Sequence, residues 1–556
     1  MTFQKCDDTL VWSNFKTSIT QERRNENTMK SVKKSNTKNS VGRLMYVLCS
    51  FLLQTIWVVL ILSKLNEYSF VISGITTVIS VIAVLHICSN DINADMKIAW
   101  IILILVFPVM GIVVYVMYGR KEVTKKQRLK YEKVNRQLET YLWNHEPGNV
   151  GIEDPAVANQ CYYLEKHAGY PVYRNTEVKY YKDAMDGWKD QLDAVRQAEK
   201  FIFLEYHAIE NAKAFLELKD ILLEKVKNGV EVRIVYDDVG SIGFITPEFV
   251  KDMEKSGIQC RIFNQIMPAM RIFMQNRDHR KIMVIDGKVG FTGGYNLADE
   301  YFNLLDPGPY GYWKDTGARL IGEAVDSLTA TFLEMWNFIK KTDVQFQQYF
   351  RPVDGVVEEQ SETSVVLKNQ EQSGPWVQPY ADSPLDDELV GENVYLNMIK
   401  NAKKFIWFTT PYLVISDVLC RELRLAAKRG VDVRIITPGI PDKKMVYEVT
   451  RSSYPDLLKD GVRIYEYTPG FCHAKQCICD DETAVIGTIN LDYRSLYHHF
   501  ENGVLLYQAY DFMEDMKKDF TEMFEIAREV PVTYGEDRSF MLRMAHEFLH
   551  LFATLL

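Results

Sequence analysis

Apolar residues divide the chain into an uncharged N-terminal region and a longer region in which short apolar stretches alternate with amphipathic ones. Three uncharged stretches, 44–63, 68–89 and 98–119, have 20 to 22 residues each. A helix of that length spans the ~30 Å hydrocarbon core of a bilayer. The pattern predicts three transmembrane segments within residues 44–119, because three such stretches in succession are hard to bury in a soluble domain.

Beyond about residue 165 the pattern becomes that of an α/β protein. The segments AVRQAEKFIFLEYHAI, LLEKVKNGVEVRIVYDD and QCRIFN alternate helical stretches with apolar strands bounded by Gly. The second half repeats this order, since residues 198–202 resemble 402–406 and residues 229–234 resemble 430–435. Two tandem α/β repeats are predicted, each a mixed β-sheet flanked by helices, over 165–345 and 386–556. A linker rich in Gln, Glu, Ser and Pro joins them over 346–385.

Charge adds two basic regions to this division. Residues 1–43 carry nine Lys or Arg against four Asp or Glu without apolar periodicity, which predicts a disordered basic tail. Residues 120–164 form a basic juxtamembrane linker, with eight Lys or Arg between 120 and 136. That stretch would hold the catalytic region near anionic lipid, at roughly 1 kcal/mol per basic residue. A solvated helix with i,i+4 ion pairs is the alternative.

The same charges leave the membrane topology open. Basic residues flank both ends of the region 44–119, and three full spans cannot put both flanks on one side. Either 44–63 lies in the membrane without crossing it, or one flank violates the positive-inside rule. Nine scattered cysteines without disulfide spacing favour reduced thiols. We therefore predict a multi-pass protein of the cell membrane with a cytoplasmic catalytic region.

A cassette that occurs twice carries the chemistry. Every position of the second copy follows its counterpart by 194 residues: His279, Lys281, Asp286, Gly293, Gly294 and Asn296 in the first copy, and His473, Lys475, Asp480, Gly487, Thr488 and Asn490 in the second. Coincidence does not keep so many offsets in register, so an internal duplication is indicated. Two half-sites then make one shared active site.

The segments HRKIMVID and HAKQCICD read as buried strands, in which residues i and i+2 point to the same face. Each His therefore lies beside its Lys, and a hairpin returns each Asn to the same end. Lys and Asn donate hydrogen bonds to phosphoryl oxygens, and a neutral imidazole attacks phosphorus. This arrangement favours phosphoryl transfer without a metal or cofactor.

The two signature aspartates belong to the cassette but not to the face that carries the chemistry. Strand parity puts Asp286 and Asp480 on the face away from each His and Lys. We predict that they stabilise the hairpin turns. A zinc site at Cys472, His473, Cys477 and Cys479 is disfavoured, because Lys475 would lie between the ligands on the same face.

Both copies resemble the signature of the phospholipase D superfamily, and the segments NRDHRKIMVIDG, FTGGYNLADEY, YWKDTG, TPGFCHAKQCICDD and GTINLDYRSLYHHFE resemble its bacterial cardiolipin synthases. The resemblance implies transfer of a phosphatidyl group between two phosphatidylglycerol molecules through a phosphohistidine. It also implies that Asp315 supports His279 and that Glu501 supports His473. The first-copy His is usually the nucleophile in the family, but the symmetry of the site leaves that assignment open. Three aromatic residues are candidates for lining a lipid groove or for core packing: Tyr206, Tyr295 and Trp313.

Other activities of the superfamily have to be weighed against this one. A membrane-bound phospholipase D-type hydrolase, or a transphosphatidylase with another donor or acceptor, would carry the same residues. A nuclease is disfavoured, because it needs no apolar spans and the net charge is −9, so no nucleic-acid partner is expected. An inactive scaffold is disfavoured because both signatures are complete. Phosphatidylglycerol, cardiolipin and the bilayer are the expected partners, and the sequence leaves the oligomeric state open.

Overall fold

The structure is a computed structural model. It describes residues 69–90, 93–119, 125–142, 151–246, 248–265, 276–305, 308–351 and 374–535, with a few isolated positions at 52–59 and at 541 and 544. The predicted basic tail, nearly all of the first predicted span and most of the predicted inter-repeat linker lie outside these residues.

The second and third predicted spans are helical. Helix α1 covers Ser69–Ser89, and the third span is divided between α2 (Ala94–Val106), α3 (Pro108–Val114) and a π-helical turn, Tyr115–Gly119. Pro108 begins α3 because proline lacks the N–H that would continue the hydrogen bonds of α2. Among the described helices none has both the length and the apolar character that crossing a bilayer requires.

The predicted basic linker contains two helices, α4 (Lys125–Leu142) and α5 (Pro155–Lys166). Helix α4 has the i,i+4 ion pair between Arg128 and Glu132. It is not simply solvated, because Tyr131 is buried and donates a 2.5 Å hydrogen bond to Glu334. Helix α4 is therefore packed on the first repeat.

The first repeat builds one sheet with the strand order β1-β9-β7-β6-β2-β3-β4. Its strands, with two short ones outside the sheet, are β1 (Thr176–Tyr181), β2 (Phe201–Tyr206), β3 (Glu231–Asp237), β4 (Gln259–Phe263), β5 (Arg277–Asp278), β6 (Lys281–Ile285), β7 (Val289–Gly293), β8 (Tyr312–Lys314) and β9 (Gly317–Gly322). Its helices are α6 (Ala184–Gln197), α7 (Lys213–Lys227), α8 (Phe249–Lys255) and α9 (Val325–Ile339), with 3₁₀ turns at Asp299–Phe302 and Gln347–Tyr349.

The second repeat builds its sheet in the same order, β10-β19-β17-β16-β11-β13-β14, with β20 added at the edge. Its strands are β10 (Trp376–Asp382), β11 (Phe405–Thr409), β12 (Leu413–Val414), β13 (Asp432–Pro438), β14 (Arg463–Tyr467), β15 (Gly470–Cys472), β16 (Gln476–Cys479), β17 (Thr483–Gly487), β18 (Leu491–Asp492), β19 (His499–Tyr507) and β20 (Arg528–Glu529). Its helices are α10 (Val390–Asn401), α11 (Asp417–Lys428), α12 (Lys444–Ser452), α13 (Tyr454–Leu458), α14 (Tyr493–Tyr497) and α15 (Tyr510–Ile526).

The duplication of an α/β repeat is confirmed strand by strand, but the predicted linker is too long. Strand β10 lies within the predicted linker 346–385, where it pairs with β19 over its whole length. Sequence patterns miss it because both of its faces are buried, so its polar residues do not alternate with apolar ones. The second repeat thus begins before residue 386.

Two short parallel pairings join the repeats. Strand β5 of the first repeat pairs with the start of β19, and β8 pairs with β15 of the second. Helix α9 packs between the repeats, in contact with β6 of one sheet and β10 of the other. Each repeat therefore extends backbone into the other next to its own signature histidine.

Candidate active site

The two signature hairpins turn at their aspartates, as predicted. Asp286 and Asp480 have φ of 53° and 55°, in the left-handed region that Asp tolerates better than most residues. The carboxylate of Asp286 accepts three backbone N–H bonds of 2.8 Å at the start of β2, and Asp480 accepts three of 2.6 to 2.8 Å at the start of β11. Both side chains thus tie a hairpin to the neighbouring strand and do not line the cavity described below.

Each signature histidine is held by a carboxylate of the other repeat. Nδ1 of His279 lies 2.9 Å from Glu501, and Nδ1 of His473 lies 2.7 Å from Asp315. Both carboxylates are fully buried. Because the carboxylates bind Nδ1, the nitrogen of each ring that can react in the cavity is Nε2.

This geometry makes the predicted pairing of Asp315 with His279 and of Glu501 with His473 wrong. The cause is the exchange of strands between the repeats. The backbone N–H of His279 donates to Phe500 O at 2.9 Å, and that of His473 donates to Lys314 O at 2.7 Å. Each histidine therefore lies beside the residue that precedes the other repeat's carboxylate.

One glycine of the cassette, Gly294, makes room for the carboxylate of Asp315. A Cβ on Gly294 would lie 2.0 Å from Oδ1 of Asp315, so only glycine fits there. Its counterpart Thr488 instead donates a 2.5 Å hydrogen bond from Oγ1 to Oε2 of Glu501. The two copies thus differ in how they support the carboxylate next to them.

The signature lysines lie beside the histidines, as strand parity predicts. Both are buried. Nζ of Lys281 donates a 2.6 Å bond to His279 O, and Nζ of Lys475 donates a bond to His473 O. Burial lowers the pKa of Lys281 to about 8 and that of Lys475 to about 7. Two ammonium groups held this way attract an anion, because a bound phosphate offsets their lost hydration.

The two signature asparagines lie with the histidines at one cavity. Asn296 accepts a bond from the N–H of Ala208 at 3.1 Å and donates one to the hydroxyl of Tyr301 at 2.8 Å. Asn490 donates to Asp492 at 3.0 Å, and its buried Oδ1 has no hydrogen-bond partner within the described part of the chain. The second copy is thus the less completely satisfied of the two.

The cavity has a volume of about 740 Å³ and opens between the repeats. Both signature histidines and both signature asparagines line it, while the two lysines lie behind them. Its apolar lining comes from both repeats: Val239, Phe244, Val414, Val446 and Val449. The histidines and asparagines of the two predicted half-sites therefore line one cavity.

Burial also decides the charge of the histidines. Burial, with a further contribution from Lys475, lowers the pKa of His473 to about 4. Burial and Lys281 likewise hold the pKa of His279 well below its ordinary value. Both rings are consequently neutral near pH 7 in the empty site, which is the form in which an imidazole acts as a nucleophile or a base.

Two further histidines next to His279 were not found by sequence reasoning. The ring centroid of His207 lies 5.0 Å from that of His279, and the centroid of His499 lies 5.5 Å from it. Nδ1 of His207 is 2.7 Å from Asp278 O, which fixes its ring. Neither belongs to the repeated cassette. The sequence signal that could have indicated them is the position of each histidine at the end of a strand.

The three candidate aromatic residues separate into two groups. Trp313 lines the cavity, with its ring centroid 5.4 Å from that of His473. Tyr206 and Tyr295 are fully buried in the apolar core of the first repeat and do not line the cavity. Core packing, the alternative weighed for all three, is the outcome for these two.

In the described part of the chain, His279, His499 and Glu501 form a set whose ligand atoms lie within 4.8 Å of one another, close enough to hold a metal ion. Glu501 already binds Nδ1 of His279, which suits a carboxylate and histidine pair. The cysteines of the disfavoured zinc site, Cys472, Cys477 and Cys479, are buried free thiols. Metal independence stays a prediction.

Comparisons with known proteins agree with this geometry. Residues 192–306 and 395–524 match the family model described as cardiolipin synthase, PLD-like domain, and residues 78–120 match the phospholipase D-nuclease N-terminal family. Phosphatidylserine synthase of Haemophilus influenzae has a similar fold, with a TM-score of 0.50 at 14% identity over 68% of this chain and 93% of that one.

Relatives of known sequence extend the match to most of the chain. An uncharacterized protein of Streptococcus mutans is 40% identical over 81% of this chain and 94% of its own length. The cardiolipin synthase of Halalkalibacterium halodurans is 32% identical over 82% of this chain and 88% of its own, and that of Alkalihalophilus pseudofirmus is 32% identical over the same shares. With two complete signatures at one cavity, the chain belongs to the cardiolipin synthases of the phospholipase D superfamily.

Proposed function

We propose that the protein transfers a phosphatidyl group from one phosphatidylglycerol to another, which gives cardiolipin and glycerol. The observation that carries the proposal is the pair of carboxylate-bound histidines facing one cavity, with two buried lysines behind them. One histidine supplies a nucleophile and the other a proton donor. A phosphodiester displacement in two steps needs both.

In the first step, Nε2 of His279 attacks the phosphorus of the donor lipid. The P–N bond forms as the bond from phosphorus to the glycerol oxygen breaks, and His473 gives that oxygen its proton. A bound phosphate raises the pKa of His473 above its value in the empty site, because the negative charge stabilises the imidazolium. Glu501 stabilises the positive charge that develops on His279.

In the second step, His473 removes the proton from a hydroxyl of the acceptor lipid. The new P–O bond forms as the P–N bond breaks, which restores both histidines. Lys281, Lys475 and the two signature asparagines donate to the phosphoryl oxygens in both steps. Asp286 and Asp480 take no part beyond stabilising the hairpins.

The contacts of the N-terminal helices support entry of lipid from a membrane. Asn93 donates a 2.8 Å bond to the hydroxyl of Tyr497, and the hydroxyl of Tyr493 donates a 2.6 Å bond to Asp95. These contacts join the N-terminal end of α2 to α14, and Tyr493 itself lines the cavity. The cavity therefore opens close to the apolar helices.

We also propose that residues 44–119 hold the chain in the cell membrane as a multi-pass segment, with the catalytic region in the cytoplasm. Helix α1 supports this, since Val78, Ile82 and Leu85 expose 59%, 61% and 63% of their surface. Such a row on a soluble protein would need a partner. An alkaline phosphatase fused to the C-terminus should stay inactive, because its disulfides form outside the cytoplasm. An active fusion would reverse the proposed topology.

The reaction is tested with the purified full-length chain in detergent and phosphatidylglycerol as the sole lipid. Cardiolipin and glycerol should appear in equal amounts, with EDTA leaving the rate unchanged. Phosphatidic acid as the main product would identify a hydrolase instead. Loss of activity with EDTA that added metal restores would contradict the metal-free steps and direct attention to His279, His499 and Glu501.

A further inference from the structure

The duplication puts two residues of opposite charge at equivalent positions of the cavity. Glu300 and Arg494 each follow the signature asparagine of their repeat by four residues, and both line the cavity. The reacting phosphate is surrounded by groups that the two repeats supply in the same way. These two residues therefore make a nearly symmetric site chemically different at its two ends.

The basic end has an available cation. Arg494 lines the cavity, and its guanidinium makes no hydrogen bond or ion pair with any residue in the described ranges. The acid next to it, Asp492, is already bonded to Asn490 at 3.0 Å and to the N–H of Ser495 at 2.8 Å.

A second cation lies close by. Burial lowers the pKa of the Arg494 guanidinium, Asp492 opposes the shift, and Arg277 adds to it. Arg277 also lines the cavity and is held 3.6 Å from Oδ1 of Asp237. Two guanidinium groups at the wall of one cavity favour a bound anion.

The other end carries mixed charge. Burial, Glu210 and Asp442 together raise the pKa of Glu300 to about 7, and Lys443, which also lines the cavity, opposes that shift. Asp442 lines the same wall and accepts a 2.6 Å bond from the hydroxyl of Tyr412. Lys443 is already paired with Asp442 at 3.2 Å and donates a 3.0 Å bond to the hydroxyl of Tyr412. The carboxylates at this end therefore accept hydrogen bonds from alcohols, while the cation beside them is already paired.

We propose that Arg494, supported by Arg277, forms a subsite for the phosphate of the acceptor lipid, distinct from the site of the phosphate that reacts. The inference rests on the proposed function, because a transfer between two phosphatidylglycerols brings two phosphates into one cavity. The reacting phosphate has the signature lysines. The acceptor phosphate, separated from it by one glycerol, needs a cation of its own, and Arg494 supplies it.

The test compares two soluble acceptors that differ only in a phosphate, glycerol and glycerol 3-phosphate, with a phosphatidyl p-nitrophenol donor. In each transfer the acceptor O–H bond breaks, its oxygen joins phosphorus, and p-nitrophenolate leaves. The wild-type chain should favour glycerol 3-phosphate. Arg494→Gln should lower the ratio of the two transfer rates on the order of tenfold or more, as expected when a charged hydrogen bond is lost. Arg494→Lys should recover part of the ratio.

Arg421→Gln is the matched control, because Arg421 is exposed on α11 and does not line the cavity. An unchanged ratio in Arg494→Gln would overturn the proposal, and so would an equal loss with both acceptors, since Arg494 would then act on the donor. Failure of the wild-type chain to make cardiolipin from phosphatidylglycerol alone would refute the proposed function instead. That result is read from a separate assay, so the two failures are distinguishable.

Discussion

The two repeats have the same strand order, yet they supply different parts of the site. Each gives one histidine and one asparagine to the cavity and one buried lysine beside them, and each gives its carboxylate to the histidine of the other. A repeat folded alone would hold a histidine without its carboxylate. Duplication therefore preserved the two sheets, whereas the function depends on the short strands that cross from one repeat to the other.

Differences between the repeats are concentrated beside the histidines. Glycine at 294 faces Asp315 without bonding to it, whereas Thr488 donates to Glu501. Two additional histidines lie next to His279, while aromatic rings surround His473, among them Trp313 and Tyr301. Burial, Lys281 and His499 all disfavour positive charge on His279, which keeps its ring in the neutral form that attacks phosphorus.

The largest expected effect distinguishes the two histidines. His279→Asn removes the proposed nucleophile and should abolish the burst of p-nitrophenol from a phosphatidyl p-nitrophenol donor. His473→Asn removes the proposed acid, which a good leaving group does not need, so the burst and a phosphatidyl-labelled protein should remain. Each change should lower steady-state turnover of phosphatidylglycerol by on the order of 10² to 10⁶. A burst in His279→Asn and none in His473→Asn would reverse the assignment.

Most of the fold and about half of the candidate site could be predicted from the sequence. Repeated strands, the two hairpins and the structural role of Asp286 follow from local patterns of two to seven residues. Strand β10 did not follow, because a short strand buried on both faces lacks alternation. The carboxylate partners did not follow either, since β5 and β8 are only two and three residues long and pair with the opposite repeat.

The exchanged carboxylates give the next largest effect. Glu501→Gln should slow the burst, because it leaves His279 without the carboxylate that holds it, while Asp315→Asn should keep the burst and slow turnover through His473. A loss of roughly 10² to 10⁴ in kcat is expected for each. Rapid-mixing measurement of p-nitrophenol separates the two phases. A slowed burst in Asp315→Asn alone would mean that the histidines are paired within repeats after all.

The two signature lysines should give the two repeats different pH dependences. Each lysine acts as an ammonium group, and its lowered pKa means that it loses its charge at a lower pH. The value of kcat/KM should therefore fall as the pH rises through about 7, where Lys475 loses its proton, and through about 8, where Lys281 does. Above each pKa the decline is about tenfold per pH unit. Arginine keeps its charge there, so Lys475→Arg should leave the limb near 8 and Lys281→Arg should leave it near 7. Identical limbs in the two variants would contradict the difference between the repeats.

The smallest expected effect concerns Thr488, which has no hydroxyl counterpart in the first repeat. Thr488→Val preserves side-chain volume but removes the bond to Oε2 of Glu501, together with the 2.9 Å bond that Oγ1 accepts from the N–H of Asn502. A net hydrogen bond is worth about 1 kcal/mol, so the burst rate should fall roughly threefold to tenfold. Thr292→Val is the control, since it removes a buried hydroxyl that is bonded to Asn502 and not to a site carboxylate. If both variants slow the burst equally, the loss comes from the packing between the repeats and not from the orientation of His279.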